Sequence, residues 1–207
     1  MKLHSALDKI VGHKVKAGLL RILCDKNTGW TGRQLARELA ISPTTSSKFL
    51  KELAGEGVVF VKGVGRSYLY HLNDKSYVVR NILMPFFERE KEIVTNIETL
   101  VKKAVLKSTA KIEAIAMFGS ITKRTDTSKS DVDILIIITD PKDKPKVESS
   151  INSLSEKIAM DFNTVVSPYI LSASQFKKRY KEKSALINDI MRSYRLLYGK
   201  VLERIAA

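Results

Sequence analysis

The chain has 207 residues, with 36 Lys and Arg against 22 Asp and Glu, so its formal net charge is +14. A hydrophobic content of 44% excludes a mainly disordered chain, and a single cysteine excludes an intrachain disulfide framework. No apolar run is long enough to cross a membrane, and the N-terminus is too polar for a signal peptide. We therefore expect a soluble, cytoplasmic protein. Its excess of positive charge suits a polyanionic partner, either nucleic acid or nucleotide phosphate.

The first third of the chain predicts three helices followed by a β-hairpin. Residues 14–24 carry apolar side chains at helical spacing, Thr31 is placed to cap a second helix, and Ser42 with Pro43 begins a third. The segments VVFVK and SYLYHL flank the turn GVGR and predict two antiparallel strands. The side chains expected to face the core are Val15, Leu19, Ile22, Leu23, Leu35, Ala36, Leu39, Phe49, Leu50 and Leu53.

Over residues 10–73 this order resembles the winged helix-turn-helix domain of MarR-like and ArsR-like transcription regulators. The resemblance implies that the third helix enters the major groove of double-stranded DNA and that the hairpin turn contacts the adjacent backbone or minor groove. The DNA-binding residues carried over by position are Thr44, Thr45, Ser46, Lys48, Lys51, Lys62 and Arg66. Solvated helix faces and protein–protein modules show the same residue types, so these two alternatives stay open.

Residues 75–107 predict connecting helices, with a short helix before Pro85 and a longer one after it. An apolar set follows helical spacing along the longer helix: Ile93, Val94, Ile97, Leu100, Val101 and Ala104. This set either packs on the neighbouring domains or pairs with a second copy of the chain. Because helices that flank winged-helix domains of the resembled type often form dimers, we expect a homodimer.

The last half of the chain contains a pair of aspartates beside a buried strand. A β-like segment, residues 112–118, ends in Gly119 and Ser120, and Ser130-Asp131-Val132-Asp133 leads into the continuous apolar run ILIIIT. Two aspartates separated by one residue point to the same face of a strand, where their mutual repulsion favours a bound cation. Mg²⁺ with a nucleotide phosphate is the natural occupant.

This constellation resembles the minimal nucleotidyltransferases of the DNA polymerase β-type superfamily over residues 108–200. The resemblance implies transfer of a nucleoside monophosphate from a nucleoside triphosphate (NTP) to a hydroxyl, assisted by two metal ions. It assigns Asp131 and Asp133 as catalytic metal ligands, and the nucleotide-binding residues it implies are Gly119, Ser120 and Ser130.

The chain departs from the superfamily's pattern at two positions. The third carboxylate of active members falls near Val165 or Ser167, neither of which is an acid, and Asp161 would replace it only through a shifted register. Arg124 occupies the place of a flexible glycine, where it would either contact phosphate or crowd the pocket.

The sequence thus predicts an α+β protein with three parts: a winged helix-turn-helix domain over residues 1–74, connecting helices over 75–107, and an α/β nucleotidyltransferase-fold domain over 108–207, in which helices flank a mixed sheet. The function we expect is that of a DNA-binding transcription regulator whose C-terminal domain binds Mg-NTP. The alternatives are an active nucleotidyltransferase that modifies a protein or small molecule, and a toxin–antitoxin component.

Overall fold

The computed structural model describes residues 4–26 and 28–207 and divides into two compact units, Met1–Glu92 and Ile93–Ala207. The N-terminal unit consists of α1 (Asp8–Val11), α2 (Lys14–Asp25), β1 (Trp30–Thr31), α3 (Gly32–Glu38), α4 (Pro43–Gly55), β2 (Val59–Val64) and β3 (Ser67–Leu72). Its antiparallel sheet has the strand order β1-β3-β2. The predicted three helices and hairpin are therefore present, with the short α1 and β1 added to them.

Local hydrogen bonds explain where α3 and α4 begin. The Thr31 hydroxyl accepts the N–H of Gln34, and the Gln34 side chain accepts the N–H of Thr31, which forms a capping box. The Ser42 hydroxyl accepts the N–H of Thr45 at 3.0 Å, and Pro43 occupies the first helical position, where no N–H is needed. Both predicted helix starts are confirmed.

The helix predicted before Pro85 and the longer helix predicted after it are present, and they join without a break. A π-helical turn over Val79–Leu83 continues directly into α5 (Met84–Lys107), and the N–H of Met84 bonds the carbonyl of Val79. Proline inside a helix lacks a donor and crowds the carbonyl four residues earlier. Because the π turn is wider than an α turn, it accommodates the proline at this point, and the helix continues.

The C-terminal unit has a four-stranded mixed sheet with helices on both faces. Beyond α5 it contains β4 (Ile112–Met117), α6 (Gly119–Lys123), β5 (Val132–Ile138), a 3-10 turn (Pro141–Asp143), α7 (Lys144–Phe162), β6 (Val166–Ser172), α8 (Ala173–Lys181), α9 (Ala185–Arg192), β7 (Arg195–Gly199) and α10 (Leu202–Ala206). The strand order is β6-β5-β4-β7, in which β5 and β6 are parallel and the other pairs are antiparallel. This is the predicted α+β architecture.

Strand β5 is buried on both faces, as its continuous apolar run predicts. Ile134, Ile136 and Ile138 belong to the core formed with α5 and α7, whereas Leu135 and Ile137 belong to the core formed with α8, α9 and α10. Since side chains alternate along a strand, Asp133 lies on the same face as Leu135, at the start of β5.

Most of the apolar set on α5 packs within its own chain, whereas Ile93 is exposed. Ile97 and Val101 are buried in the core of the C-terminal unit, and Val94 and Leu100 pack against that core. This favours the first of the two alternatives drawn from the sequence, and the homodimer stays a prediction.

Within residues 4–26 and 28–207, no helix combines the length and the apolar composition needed to cross a bilayer.

Candidate functional site

Asp133 packs against Gly119 in the candidate site. Gly119 follows β4 with a φ of +77°, and a Cβ at this position would lie 2.1 Å from Oδ2 of Asp133. The N–H of Phe118 donates to the carbonyl of Asp133 at 3.0 Å, which holds the two segments together. Any side chain at residue 119 would therefore be strained and would displace the carboxylate, so only glycine fits here.

The carboxyl of Asp133 is half-buried, next to the exposed Asp131. Burial raises the pKa of Asp133 above its ordinary value, and the negative charge of Asp131 raises this pKa further. The ionised pair is therefore unfavourable by itself, and a bound cation would relieve both effects. Carboxylate oxygens are the donors that Mg²⁺ takes in proteins, so this pair fits one such ion.

The neighbouring strand does not supply a third acid. In the parallel pairing of β5 with β6, Asp133 is aligned with Ser167, and the N–H of Val132 bonds the carbonyl of Val165. Of the two positions proposed from the sequence, Ser167 is thus the one beside Asp133. No cluster of three or more His, Cys, Asp or Glu side chains suited to a metal ion is found in the part of the chain that the structure describes.

The suggestion that Asp161 replaces the missing acid is wrong. Asp161 lies near the end of α7 and pairs with Lys157 one turn earlier, with 2.6 Å between Nζ and Oδ2. It does not join Asp131 and Asp133 in a metal-binding cluster within the described ranges.

The two predicted nucleotide-binding serines differ in their surroundings. The Ser130 hydroxyl accepts the N–H of Thr127 at 2.9 Å, and the Ser130 carbonyl accepts the hydroxyl of Thr164 at 3.1 Å. These bonds fix the loop before β5. Ser120 is half-buried in the first turn of α6, directly after Gly119.

Two basic residues end α6. Lys123 donates to both carboxylate oxygens of Asp189 on α9, at 2.8 and 2.7 Å. Arg124 follows with a φ of +57°, in the left-handed region, and is exposed.

In the N-terminal unit, α4 presents Thr44, Lys48 and Lys51 as exposed residues. Their spacing of four and three residues places them on one side of the helix. Glu52, the acid nearest to Lys48 along the helix, pairs with Lys16 of α2, with 2.7 Å between Nζ and Oε2. The ammonium groups of Lys48 and Lys51 are therefore available to an anion.

The other two predicted residues of α4 are less accessible. Thr45 is half-buried, and its hydroxyl lies 2.8 Å from that of Ser42. Ser46 is fully buried, which contradicts its expected contact with DNA. The reason is its spacing, because Ser46 precedes the buried Leu50 and Leu53 by four and seven residues and so lies on the core face of the helix.

A cleft in the N-terminal unit adds residues that the sequence alone did not reveal. Its volume is about 470 Å³, and its walls include Arg33 of α3, Ser47 of α4, Arg66 of the hairpin turn and Tyr68 of β3. No acidic side chain lines it among the residues that the structure describes. Lys62 is exposed on β2, near this turn. Ser47 is half-buried, and its place on the same side of α4 as Lys51 was predictable from their spacing, whereas the approach of Arg33 to Arg66 depends on the folded hairpin.

Residues 101–200 match the family model described as "Polymerase beta, Nucleotidyltransferase". No curated protein matches the chain significantly.

Three solved structures show distant similarity. Reduced HlyU from Vibrio cholerae N16961 is 20% identical, with 41% of this chain and 81% of that chain covered and a TM-score of 0.35. A toxin–antitoxin with AMP-PNP is 20% identical, with 53% and 80% covered and a TM-score of 0.37. The cadmium sensor CMTR from Mycobacterium tuberculosis is 28% identical, with 37% and 76% covered and a TM-score of 0.31. Similarity at this level assigns neither a function nor a ligand. The family match and the mixed sheet together identify a polymerase β-type nucleotidyltransferase domain in the C-terminal half of the chain.

Proposed function

We propose that the protein is a DNA-binding transcription regulator whose C-terminal domain binds a nucleoside triphosphate with Mg²⁺ and does not transfer the nucleotide efficiently. The observation that supports the second half of this proposal is that Asp133, two residues after Asp131, lies beside Gly119, whereas the position paired with Asp133 on the neighbouring strand holds Ser167.

The binding half of the proposal follows from the acidic pair and the glycine. Asp131 and Asp133 would hold the cation, and the absence of a side chain at Gly119 leaves room for the Asp133 carboxylate against the Gly119-Ser120 turn, so a phosphate bound at this turn would lie close to the cation. When bound, Mg²⁺ supplies positive charge between the carboxylates and the phosphates. The raised pKa of Asp133 supports this assignment, because it reports a carboxylate that lacks a compensating charge.

Inefficient transfer follows from the missing third ligand. Two-metal catalysis needs carboxylates for both ions, and one of those ions activates the attacking hydroxyl. Two aspartates are enough for one ion, but a serine hydroxyl is a weak ligand compared with a carboxylate. The site thus retains the groups that bind a nucleotide and lacks the group that would activate an acceptor.

The DNA-binding half of the proposal depends on the basic surface of the N-terminal unit. Lys48 and Lys51 on α4 and Arg66 at the hairpin turn are exposed. Arg33 joins Arg66 in a cleft whose described lining is free of acids. Phosphate contacts from lysine and arginine supply most of the affinity of such interfaces and make it dependent on salt.

Nucleotide binding is tested by calorimetric titration with Mg²⁺ and non-hydrolysable NTP analogues. We expect the wild type to bind and the double variant Asp131→Asn/Asp133→Asn to lose binding. Asp126→Asn is the matched control, because Asp126 is an exposed acid of the same loop and is not part of the pair. Equal binding by the wild type and the double variant would overturn the proposal. Efficient transfer of a labelled nucleotide by the wild type would favour the alternative of an active nucleotidyltransferase.

DNA binding is tested by measuring the affinity for duplex DNA across a salt series. Lys48→Ala and Lys51→Ala should each weaken binding to all sequences and lower the salt slope by about one unit. Lys178→Ala, an exposed lysine of α8, serves as the control and should leave the slope unchanged. If the salt slope of DNA affinity is unchanged in Lys48→Ala and Lys51→Ala, α4 does not contact DNA.

A further inference from the structure

A groove runs between α5 and α7 on the surface of the C-terminal unit. Its volume is about 400 Å³, and the wall formed by α5 presents Leu100, Lys103, Ala104 and Lys107. Residues at this spacing lie along one side of a helix. At 1.5 Å per residue this wall is about 10 Å long, so the groove matches about two turns of another helix.

The floor of the groove is apolar. Leu100 of α5 and Leu154 of α7 are half-buried and pack on the core beneath them, and Ala104 is also half-buried. The hydroxyl of Ser153, which lines the opposite wall, donates to the carbonyl of Ser149 at 2.9 Å. This hydroxyl is satisfied within its own helix and requires no polar partner from a ligand. Small side chains on both helices thus leave room for apolar side chains of a third element.

The rim of the groove is basic. Lys103 and Lys107 are exposed, and neither forms an ion pair with any of residues 4–26 and 28–207. Within these ranges no acidic side chain lines the groove. Glu148, the nearest acid along α7, is paired with Lys144 one turn earlier, with 3.7 Å between Nζ and Oε1. The two lysines of the rim are therefore available to the carboxylates of a ligand.

An amphipathic helix with acidic flanks fits this combination. Such a helix inserts apolar side chains at helical spacing into a groove and keeps its charged side chains at the rim. A nucleic acid fits less well, because a phosphate backbone gains nothing from an apolar floor. A second copy of this chain also fits less well. In a symmetric contact the same two lysines of each copy would meet, and each copy carries a net charge of +14.

We propose that the groove between α5 and α7 binds an acidic amphipathic helix of a partner protein. Apolar side chains of that helix fill the space above Leu100, Ala104 and Leu154, and its carboxylates pair with Lys103 and Lys107. Binding requires no nucleotide, because neither aspartate of the candidate site lines the groove.

The test is fluorescence anisotropy with the full chain and two labelled helical peptides of about 16 residues. Both peptides carry the same leucine stripe, and the positions that flank the stripe are glutamate in one and lysine in the other. We expect the wild type to bind the glutamate peptide in preference. Lys103→Glu/Lys107→Glu should bind that peptide about tenfold more weakly and bind the lysine peptide more tightly than the wild type does.

Two further variants separate the groove from the general positive charge of the chain. Ser153→Trp leaves the net charge unchanged and fills the groove, so it should abolish binding of the glutamate peptide. Lys177→Glu is the matched control, because Lys177 is an exposed lysine of α8 outside the groove, and it should leave the affinity unchanged. Far-ultraviolet circular dichroism checks that each variant is folded.

A preference for the glutamate peptide that is reversed by Lys103→Glu/Lys107→Glu and lost in Ser153→Trp supports the inference. Equal binding of both peptides, binding of neither, or an equal loss in Lys177→Glu would overturn it. Sedimentation velocity tests the other occupant: a dimer of the wild type that dissociates in Ser153→Trp would show that a second copy fills the groove, and this result would also overturn the inference.

Discussion

Gly119→Ala tests the contact on which the candidate site depends. The substitution places a Cβ at a φ of +77°, which costs about 1–2 kcal/mol in backbone strain. The Cβ would lie 2.1 Å from Oδ2 and 3.0 Å from Cγ of Asp133, so the carboxylate must leave its rotamer. That displacement costs about 0.5–1.5 kcal/mol. We expect a total loss of about 1.5–3.5 kcal/mol in the stability of the C-terminal unit, together with loss of nucleotide binding.

The assay is urea unfolding followed by far-ultraviolet circular dichroism and by tryptophan fluorescence. Trp30 is the single tryptophan of the chain and lies in the N-terminal unit, so a transition seen by circular dichroism alone belongs to the C-terminal unit. Gly57→Ala is the strain control, because Gly57 has a φ of +75° and a Cβ there meets no atom within 4 Å. Its cost should be the strain of about 1–2 kcal/mol and no more.

A double-mutant cycle separates strain from contact. In an Asp133→Ala background the carboxylate is gone and only the Cβ of residue 133 remains, 3.2 Å from the added Cβ. Gly119→Ala should then cost the strain and this milder contact, and the coupling energy should be up to about 0.5–1.5 kcal/mol. Equal costs of Gly119→Ala in the two backgrounds would refute the claim that this glycine is required by the aspartate.

Four further outcomes are expected. Because the folded-state pKa of Asp133 is raised, ionisation of this carboxyl destabilises the metal-free protein. In thermal unfolding at neutral pH, Asp133→Asn should therefore be more stable than the wild type. This advantage should vanish as the pH falls through the raised pKa of Asp133 towards the pKa of an ordinary aspartate. Ser167→Asp should create a three-carboxylate cluster and raise labelled-nucleotide transfer above the wild-type rate; no gain would show that more than the third acid is missing. Ser46→Ala removes a buried hydroxyl that has no hydrogen-bond partner among the described residues, so stability should stay equal or rise by up to about 1 kcal/mol while DNA affinity is unchanged. Arg33→Ala and Arg66→Ala should each weaken DNA binding and reduce the salt dependence of the affinity. If only Arg66→Ala has an effect, the cleft is not part of the DNA-binding surface.

Much of the local structure was predictable because its causes are local. Thr31 with Gln34 and Ser42 with Pro43 form their hydrogen bonds within a few residues, so the starts of α3 and α4 can be inferred without the rest of the fold. The same holds for β5, whose run of apolar residues is long enough to mark a strand buried on both faces.

The prediction for Ser46 failed because a local rule was applied without its surroundings. Ser46 was placed on the DNA-facing side with its polar neighbours, although its spacing to Leu50 and Leu53 puts it on the core face. This error was avoidable from the sequence. The uninterrupted junction of the two helices at Pro85 was not predictable in this way, because it depends on the π turn that provides the space for the ring.

By itself the sequence determined the kinds of chemistry that this protein carries: an excess of positive charge suited to polyanions, a glycine-serine turn, and two aspartates separated by one residue at the start of a buried strand. These follow from residue type and from spacing along the chain. Only the tertiary structure decided what lies beside them. The parallel register of β5 and β6 places Ser167 next to Asp133, and the path from β4 into α6 presses Gly119 against the same carboxylate. Register and close approach depend on how distant segments pack, because a shift of one residue would turn a different side chain toward the site.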